Sequence, residues 1–561
     1  MSISSSRLQP QAPVGHLLER GQVLNHFVCD HPMTLPLTFP LLTAATFTIA
    51  LLAGLYKCII YPALLSPLAR IPAARWHARF SPLYSYYIKY VNIENRTVHD
   101  LHTRYGPLVR LGPNELSVNC FEGGLKTIYT GGFPKTEWYH ERFTNYETDN
   151  LFTTTDPKEH YQLKRMVTNV FSKSSILSSS ALRITTSAVI FDRLFPILRE
   201  SSRSRKAVNI HPLDYAYSMD SFTGFQLGGK LGTNFIQKTE EREWYTHHFF
   251  DGRPYLFWDF EVPNFTTWLQ RFGIRLVPEW CAESQVALED WFMPKCDRAA
   301  ELVASQDEMQ LQASGDWPTV FATLKQKYEE LDGKSKTPTR AGESQLYPHR
   351  LEIASNLFDH TVAAIETSGN ALTYLHYELA RRPDVQSALR AELLTLDPSR
   401  DRKSELPDSK ALDALPLLDA VIHETLRRYT PVGGPQPRVT PRVCTIAGYE
   451  GIPPVVRVQA SSWSLHRNPK VFPDPEAWRP ERWIDATPDE LTEMRKWFWA
   501  FGSGSRMCIG SNFAMLSMKL VVAAVYAHFQ TSVVDAEGIE QNDGFSGGPI
   551  GNKLWLQFDE I

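Results

Sequence analysis

The 561-residue chain carries 58 basic and 62 acidic side chains, a formal charge of −4 with no basic block, which argues against nucleic acid as its main partner. Hydrophobic residues make up 43% and aromatic residues 12%, enough to bury one large core, and no Gly/Ser- or Pro-rich linker divides the chain. Seven cysteines, at positions 29, 58, 120, 281, 296, 444 and 508, form neither C-x-x-C pairs nor a regular framework; they read as reduced thiols of a cytosol-facing protein, not as disulfides or a zinc site.

Residues 1–34 form a mixed N-terminal segment. His31 to Tyr56 is a run of 26 residues without Asp, Glu, Lys or Arg, and Leu41 to Leu55 also lacks proline. About 20 apolar residues cross a bilayer as a helix, so a transmembrane anchor is expected over 35–61. A cleaved signal peptide or a buried helix is the alternative, but the prelude is long and no A-x-A site follows. Lys57, Arg70, Arg75 and Arg79 come next with no acidic residue among them, which by the positive-inside tendency places the rest of the chain in the cytosol. Within 62–75, Ser66-Pro67-Leu68-Ala69-Arg70-Ile71-Pro72 reads as a stiff hinge, because proline restricts both itself and its predecessor.

Residues 76–561 read as one mainly α domain with small β-sheets. Arg104 to Glu115, punctuated by Gly-Pro pairs, predicts a β-hairpin. His160-Tyr161-Gln162-Leu163-Lys164-Arg165 lies ahead of Phe171-Ser172, and His160 alone reads equally well as a polar helix-surface histidine. The aromatic stretch from Phe249 to Cys281, with Phe257, Trp258, Phe260, Phe265, Trp268 and Phe272, reads as core packing. Asp332 to Gln345 and Asp397 to Lys410 read as solvated loops.

Leu351 to Leu379 is a helical pattern that holds Ala363-Ala364-Ile365-Glu366-Thr367-Ser368 in its middle. A carboxylate there is costly to bury unpaired, and a mid-helix Thr can bond back to the carbonyl four residues earlier. Glu424 and Arg427 form an E-x-x-R, three apart on one helix face. Pro437-Arg438-Val439, His466-Arg467-Asn468-Pro469 and Trp478-Arg479-Pro480-Glu481-Arg482-Trp483 follow.

Phe501-Gly502-Ser503-Gly504-Ser505-Arg506-Met507-Cys508-Ile509-Gly510 places one cysteine in a glycine-rich bend before an apolar helix, roughly Ser511 to Phe529. Glycines let the backbone fold tightly around the sulfur, and free amides at the helix start favour a thiolate. A buried free cysteine is the plain alternative. A dinucleotide fingerprint from Gly502 fails at Met507, and no G-x-S-x-G elbow is present.

This loop resembles the haem-binding loop F-x-x-G-x-R-x-C-x-G of the cytochrome P450 family, met by Phe501, Gly504, Arg506, Cys508 and Gly510. The resemblance extends over nearly the whole chain. Ala363 to Ser368 is similar to the family's A-G-x-[DE]-T-[TS] oxygen-binding motif, with Ala364 in place of glycine. Glu424, Arg427 and Arg482 match its structural triad, with Trp483 for the usual Phe.

It implies the cytochrome P450 fold, with haem b between the long oxygen-binding helix and the helix after the cysteine loop. Cys508 is then the axial ligand of the haem iron. Arg506, Arg438, Lys164 and His160 are implied for the propionates, with Phe501 and Gly502 in the haem-binding loop, while Glu366 and Thr367 pass protons and Thr367 donates a hydrogen bond to bound oxygen. The aromatic stretch takes the position of the family's lid over the substrate channel.

The implied activity is a monooxygenase that inserts one atom of O2 into a lipophilic substrate, such as a terpenoid or polyketide of fungal specialised metabolism. About fifty residues follow the loop, too few for a flavin or nicotinamide module, so the electrons are expected from NADPH through a separate NADPH–cytochrome reductase, with cytochrome b5 as a second partner. The expected location is the endoplasmic reticulum membrane, single-pass. A haem-thiolate isomerase or dehydratase without external electrons, and a non-catalytic membrane haem protein, are the competing readings.

Overall fold

The computed structural model describes residues 38–305, 307–332, 347–396 and 405–561. The expected segment 1–34 and most of the two expected polar loops, at 333–346 and 397–404, lie outside these residues. The chain divides into two compact units, Met1–Lys57 and Cys58–Ile561.

In the first unit a helix runs over Thr38–Leu55. The helical stretch Leu42–Leu65 has a mean hydropathy of 1.7 and is long and apolar enough to cross a membrane, with none of it buried in protein. Thr46 and Thr48 donate their hydroxyls to the carbonyls of Leu42 and Ala44, each at 2.8 Å. These threonines therefore satisfy their own donors inside the helix, which removes most of their cost in an apolar medium.

The second unit is mainly helical. Its central element is the helix Arg350–Ala380, which ends shortly before Pro383. It packs along the helix His211–Leu227, whose side chains are nearly all buried. Gly369 makes that approach possible: a Cβ there would lie 2.2 Å from the ring of Tyr215. Helices Pro416–Arg428 and Ser511–His528 complete the layer around the large core.

The strands are short. The expected hairpin is β1 (Leu108–Gly112) against β2 (Glu115–Val118), antiparallel with Leu108 opposite Val118. A third sheet member arrives from another part of the chain at β3 (Val208–Asn209), which joins the C-terminal strands instead. β4 (Arg438–Val439), the small hairpin β5 (Cys444–Ile446) with β6 (Tyr449–Ile452), and β7 (Arg457–Gln459) follow. The four-stranded sheet has order β1-β2-β7-β4, with β2 and β7 parallel, so Arg438 stands on its last strand. β8 (Phe529–Asp535) and β9 (Trp555–Glu560) pair antiparallel, with β3 on the other edge of β9.

Within the segment Ser66–Pro72 a 3-10 turn runs over Pro67–Arg70, and Leu68 and Ile71 are buried in the core cluster beside the four-stranded sheet. One expectation changes. The aromatic stretch is not core packing: Phe265, Trp268 and Phe272 are exposed by 47, 51 and 67%. Its helices, Leu256–Phe260 and Pro263–Gln270, are too short to bury a face and lie at the surface, with Leu256 and Phe260 turned onto the large cavity described next.

Candidate active site

The cysteine loop is held from both ends. Trp499 N–H donates to His466 Nε2 at 2.7 Å, and Cys508 N–H donates to the Phe501 carbonyl at 2.9 Å. Gly502 and Gly504 have φ of +68° and +73°, and a Cβ on Gly504 would lie 2.3 Å from the Tyr129 carbonyl oxygen. That turn is closed to other residues.

Behind it, Glu424 accepts from Arg427 Nε and Nη2 at 2.9 and 2.8 Å, from Arg482 Nε at 3.0 Å, and from Trp483 Nε1 at 3.0 Å. The expected triad is assembled and buried, and Trp483, where the family pattern has Phe, supplies one more donor. His466 Nε2 accepts from Trp499, so its Nδ1–H donates to the Arg427 carbonyl, at 3.0 Å. The triad thus reaches the loop through a neutral imidazole, and burial pushes that imidazole down to about 3. His466 stood in the sequence only as part of a run; its role as a link depends on contacts 33 and 39 residues away.

Cys508 opens onto a cavity of about 470 Å³. Its thiol is free, and burial raises its pKa. The Gly510 and Ser511 amides and the Lys164 ammonium act in the opposite direction, as expected for a sulfur that is to carry charge.

Basic groups gather near this floor. Lys164 Nζ donates to the Ser505 carbonyl at 2.7 Å and so ties its helix to the loop. Arg506 donates to the carbonyls of Thr154 and Thr155 at 2.5 and 3.1 Å. His160 is buried and lines the cavity; burial, then Arg506 and Lys135, push it down to about 3. Phe501 lines the cavity as well. Arg438 and Gly502 do not reach its surface: Arg438 stands just behind, donating to Tyr139 Oη at 2.9 Å, and Gly502 shapes the turn.

Lys135 is a cation the sequence did not disclose. It pairs with Arg438 as a β-bridge, donates to the Phe152 carbonyl, and lies 4.2 Å from the ring centroid of Tyr139. Burial, reinforced by Arg438 and Arg506, drives its pKa well below the usual lysine range. No motif marks it, since Gly131-Gly132-Phe133-Pro134 before it reads as an ordinary turn.

Among the described residues, Lys135, Lys164, Arg438 and Arg506 make no ion pair. Uncompensated positive charge beside one end of an otherwise apolar cavity is costly unless an anion balances it. A free thiol on the floor, apolar walls and cations gathered to one side fit a flat apolar group with an anionic edge, as haem is.

On the opposite wall the central helix presents Ala363, Ala364, Glu366 and Thr367. Thr367 Oγ1 donates to the Ala363 carbonyl at 2.8 Å. The role toward bound oxygen expected of Thr367 competes with this bond inside the helix. A mid-helix Thr readily makes that bond, and its hydroxyl also carries lone pairs that can accept. Glu366 is gripped by Arg253, whose Nη1 and Nη2 donate to its two carboxylate oxygens, each at 2.6 Å. Arg253 was also not foreseen, because its position in a short turn 113 residues earlier carries no pattern. The roof above is apolar, with Phe143, Phe249, Leu256, Phe260 and Leu288.

Comparison with known proteins agrees with this geometry. Residues 295–553 match the family model described as cytochrome P450. The chain is 26% identical over 447 residues to the cytochrome P450 monooxygenase avaI of Aspergillus versicolor, covering 76% of this chain and 95% of that one. It is 25% identical over 530 residues to the cytochrome P450 monooxygenase FGM1 of Gibberella zeae, covering 93% and 97%. A thiol in a glycine turn, the buried Glu-Arg-Arg triad behind it and a family match across both point the same way: the chain is similar to the cytochrome P450 monooxygenases of fungi.

Proposed function

We propose that the chain is a membrane-anchored haem-thiolate monooxygenase acting on a lipophilic substrate in fungal specialised metabolism. The observation that carries the reading is Cys508 at one cavity with Lys135, Lys164 and Arg506 on its lining and Arg438 just behind, cations without a carboxylate partner among the described residues. In this reading Cys508 would ligate the iron of haem b, Lys135, Lys164, Arg438 and Arg506 would balance the propionates, and the neutral His160 would donate a hydrogen bond to them. When bound, the haem supplies oxygen activation with electrons delivered from NADPH by a separate reductase, cytochrome b5 being a second donor.

The chain's own residues do the rest. The apolar roof excludes water and favours an apolar substrate. Thr367 offers lone pairs to a hydrogen-bond donor in the cavity, and Glu366 holds or releases a proton beside it. The apolar stretch Leu42–Leu65 supports a single-pass anchor, in the endoplasmic reticulum with the catalytic unit toward the cytosol.

Carbon monoxide added to the reduced protein tests the thiolate: the red-shifted Soret band of a thiolate ligand should appear, and Cys508→Ala should abolish it. Thr367→Ala should keep haem and divert electrons to free hydrogen peroxide; unchanged coupling removes Thr367 from the proton path. Product masses after feeding terpenoid and polyketide candidates to reductase-supplied enzyme identify the substrate class.

A further inference from the structure

A second crevice, of about 550 Å³, opens where the ends of the helices Arg350–Ala380 and Pro416–Arg428 meet the helix Glu94–Tyr105 and the segment 539–541. It shares no lining residue with the cavity at Cys508. Its walls are built from guanidiniums laid against aromatic rings. Arg96 lies 5.0 Å from the ring centroid of Trp463, Arg381 5.0 Å from Tyr377, Arg382 4.8 Å from Trp478 and Arg428 4.8 Å from Tyr429. A ring against the flat face of a guanidinium leaves its N–H edge free and fixes where that edge points.

The carboxylates nearby are already engaged. Glu378 accepts from Arg382 Nη1 and Tyr429 Oη and lies 4.0 Å from Arg381 Nη1. Glu476 accepts from Arg467 Nε at 2.7 Å and pairs with Arg428 Nη2 at 2.8 Å, and Asp543 is 3.5 Å from Arg96 Nη1. Glu540 stands exposed on the wall.

Donors are left over. Arg381 Nε and Nη2, Arg382 Nε and Nη2 and Arg428 Nη1 have no partner among the described residues. The Arg382 and Arg428 side chains are only 30 and 19% exposed, so these groups are partly withdrawn from water. The indole N–H of Trp463, a buried residue of the same wall, also has no partner among the described residues. Sheltered donors gain from an acceptor, and most from a charged one.

We propose that this crevice is a second binding site, for a small aromatic anion: its ring lies against the aromatic walls and its phosphate or carboxylate takes the free edges of Arg381, Arg382 and Arg428. The site also abuts the triad, because Arg427 Nη2 donates to the carbonyl of Ala477, and Ala477 and Trp478 line the crevice. An occupant therefore braces the segment 473–480.

The test adds adenosine 5′-monophosphate, indole-3-acetate or inorganic phosphate to the full-length haem-loaded protein in detergent micelles. Binding is read by equilibrium dialysis, and bracing by hydrogen–deuterium exchange of peptides covering 473–480. A ring-bearing probe should bind saturably, about tenfold or more tighter than inorganic phosphate, and slow that exchange severalfold. Arg381→Gln should weaken binding about tenfold, and Arg381→Gln/Arg428→Gln further. Lys126→Gln, which removes an exposed lysine outside the crevice, should leave it unchanged. The tighter of the two ring-bearing probes tells phosphate from carboxylate.

Failure of both ring-bearing probes to saturate, or equal binding in wild type and Arg381→Gln, overturns the site. Inorganic phosphate bound as tightly as they are overturns the seat for a ring. Arg381 is exposed and its guanidinium donates only to Tyr377 Oη, at 3.1 Å, so the single variant keeps the fold should the double variant lose it. The site stands apart from the haem-thiolate reading, whose failure would show in the carbon monoxide signature instead.

Discussion

The backbone N–H of Trp499 donates to Nε2 of His466 at 2.7 Å, so the strand of chain that enters the cysteine loop hangs on one buried neutral imidazole. The same ring donates from Nδ1 to the Arg427 carbonyl and stacks on Phe498 at a centroid distance of 5.5 Å. Replacement by Ala orphans an amide and a carbonyl and removes a stacked ring. His466→Ala should cost about 2–4 kcal/mol in a denaturation titration and weaken the thiolate Soret signal in the fraction that folds.

Acid should unfold the protein early. His160 and His466 are held down to about 3, and His102, His211, His360 and His376 to about 4, chiefly by burial. Each folded-state value lies below the ordinary histidine value near 6.5, so the unfolded chain binds protons that the folded chain refuses. This contribution is whole above that value and drains away as pH falls toward 4 and then 3. Tm measured from pH 7.5 down to 5 should fall increasingly steeply; a flat profile would show that these rings titrate normally.

The triad gives a sharper contrast. Glu424→Ala leaves Arg427 and Arg482 buried without their carboxylate and should destabilise by about 3–5 kcal/mol. Glu424→Gln keeps acceptor oxygen but loses the charge, and should fall between wild type and Ala in urea midpoint.

Two glycines of one loop should answer differently to alanine. Gly504→Ala forces a Cβ to 2.3 Å from the Tyr129 carbonyl oxygen at φ +73°, and should cost more than about 2 kcal/mol. Gly510→Ala meets only Cys508 Sγ, at 4.0 Å, and should cost less than about 1 kcal/mol. Thermal melts of the two variants side by side make the test.

Lys135→Met separates folding from cofactor binding. Without haem, removing a buried cation that lacks a carboxylate should stabilise the chain by about 1–2 kcal/mol. With haem, the same change should weaken retention, read as faster transfer of haem to a scavenger protein. Equal signs in the two measurements would remove Lys135 from the propionate set.

Local pattern carried much of this molecule. The central helix, expected over Leu351 to Leu379, spans Arg350–Ala380 because its 3.6-residue periodicity is long and unbroken. The helix after the loop and the first hairpin were equally legible, the hairpin through its Gly-Pro punctuation. The triad was readable because its three charged residues sit in short, dense motifs.

Lys135, Arg253 and the linking role of His466 were not readable, for a shared reason. Each acts through a partner far along the chain, and a lone Lys, Arg or His leaves no periodic trace. The aromatic stretch misled in the opposite way: composition suggests burial, but two short helices joined by turns cannot hide six large rings.

The tight seam at Gly369 has a further consequence for how such a cavity can change. With the Tyr215 ring where a methyl group would otherwise go, the helix bearing Glu366 and Thr367 has no slack toward its neighbour, and a larger side chain there would tilt the reacting wall as a whole. Variation that remodels the chamber for a differently shaped guest is therefore confined to the ceiling, where Leu256 and Phe260 can be exchanged without disturbing the register of the wall beneath.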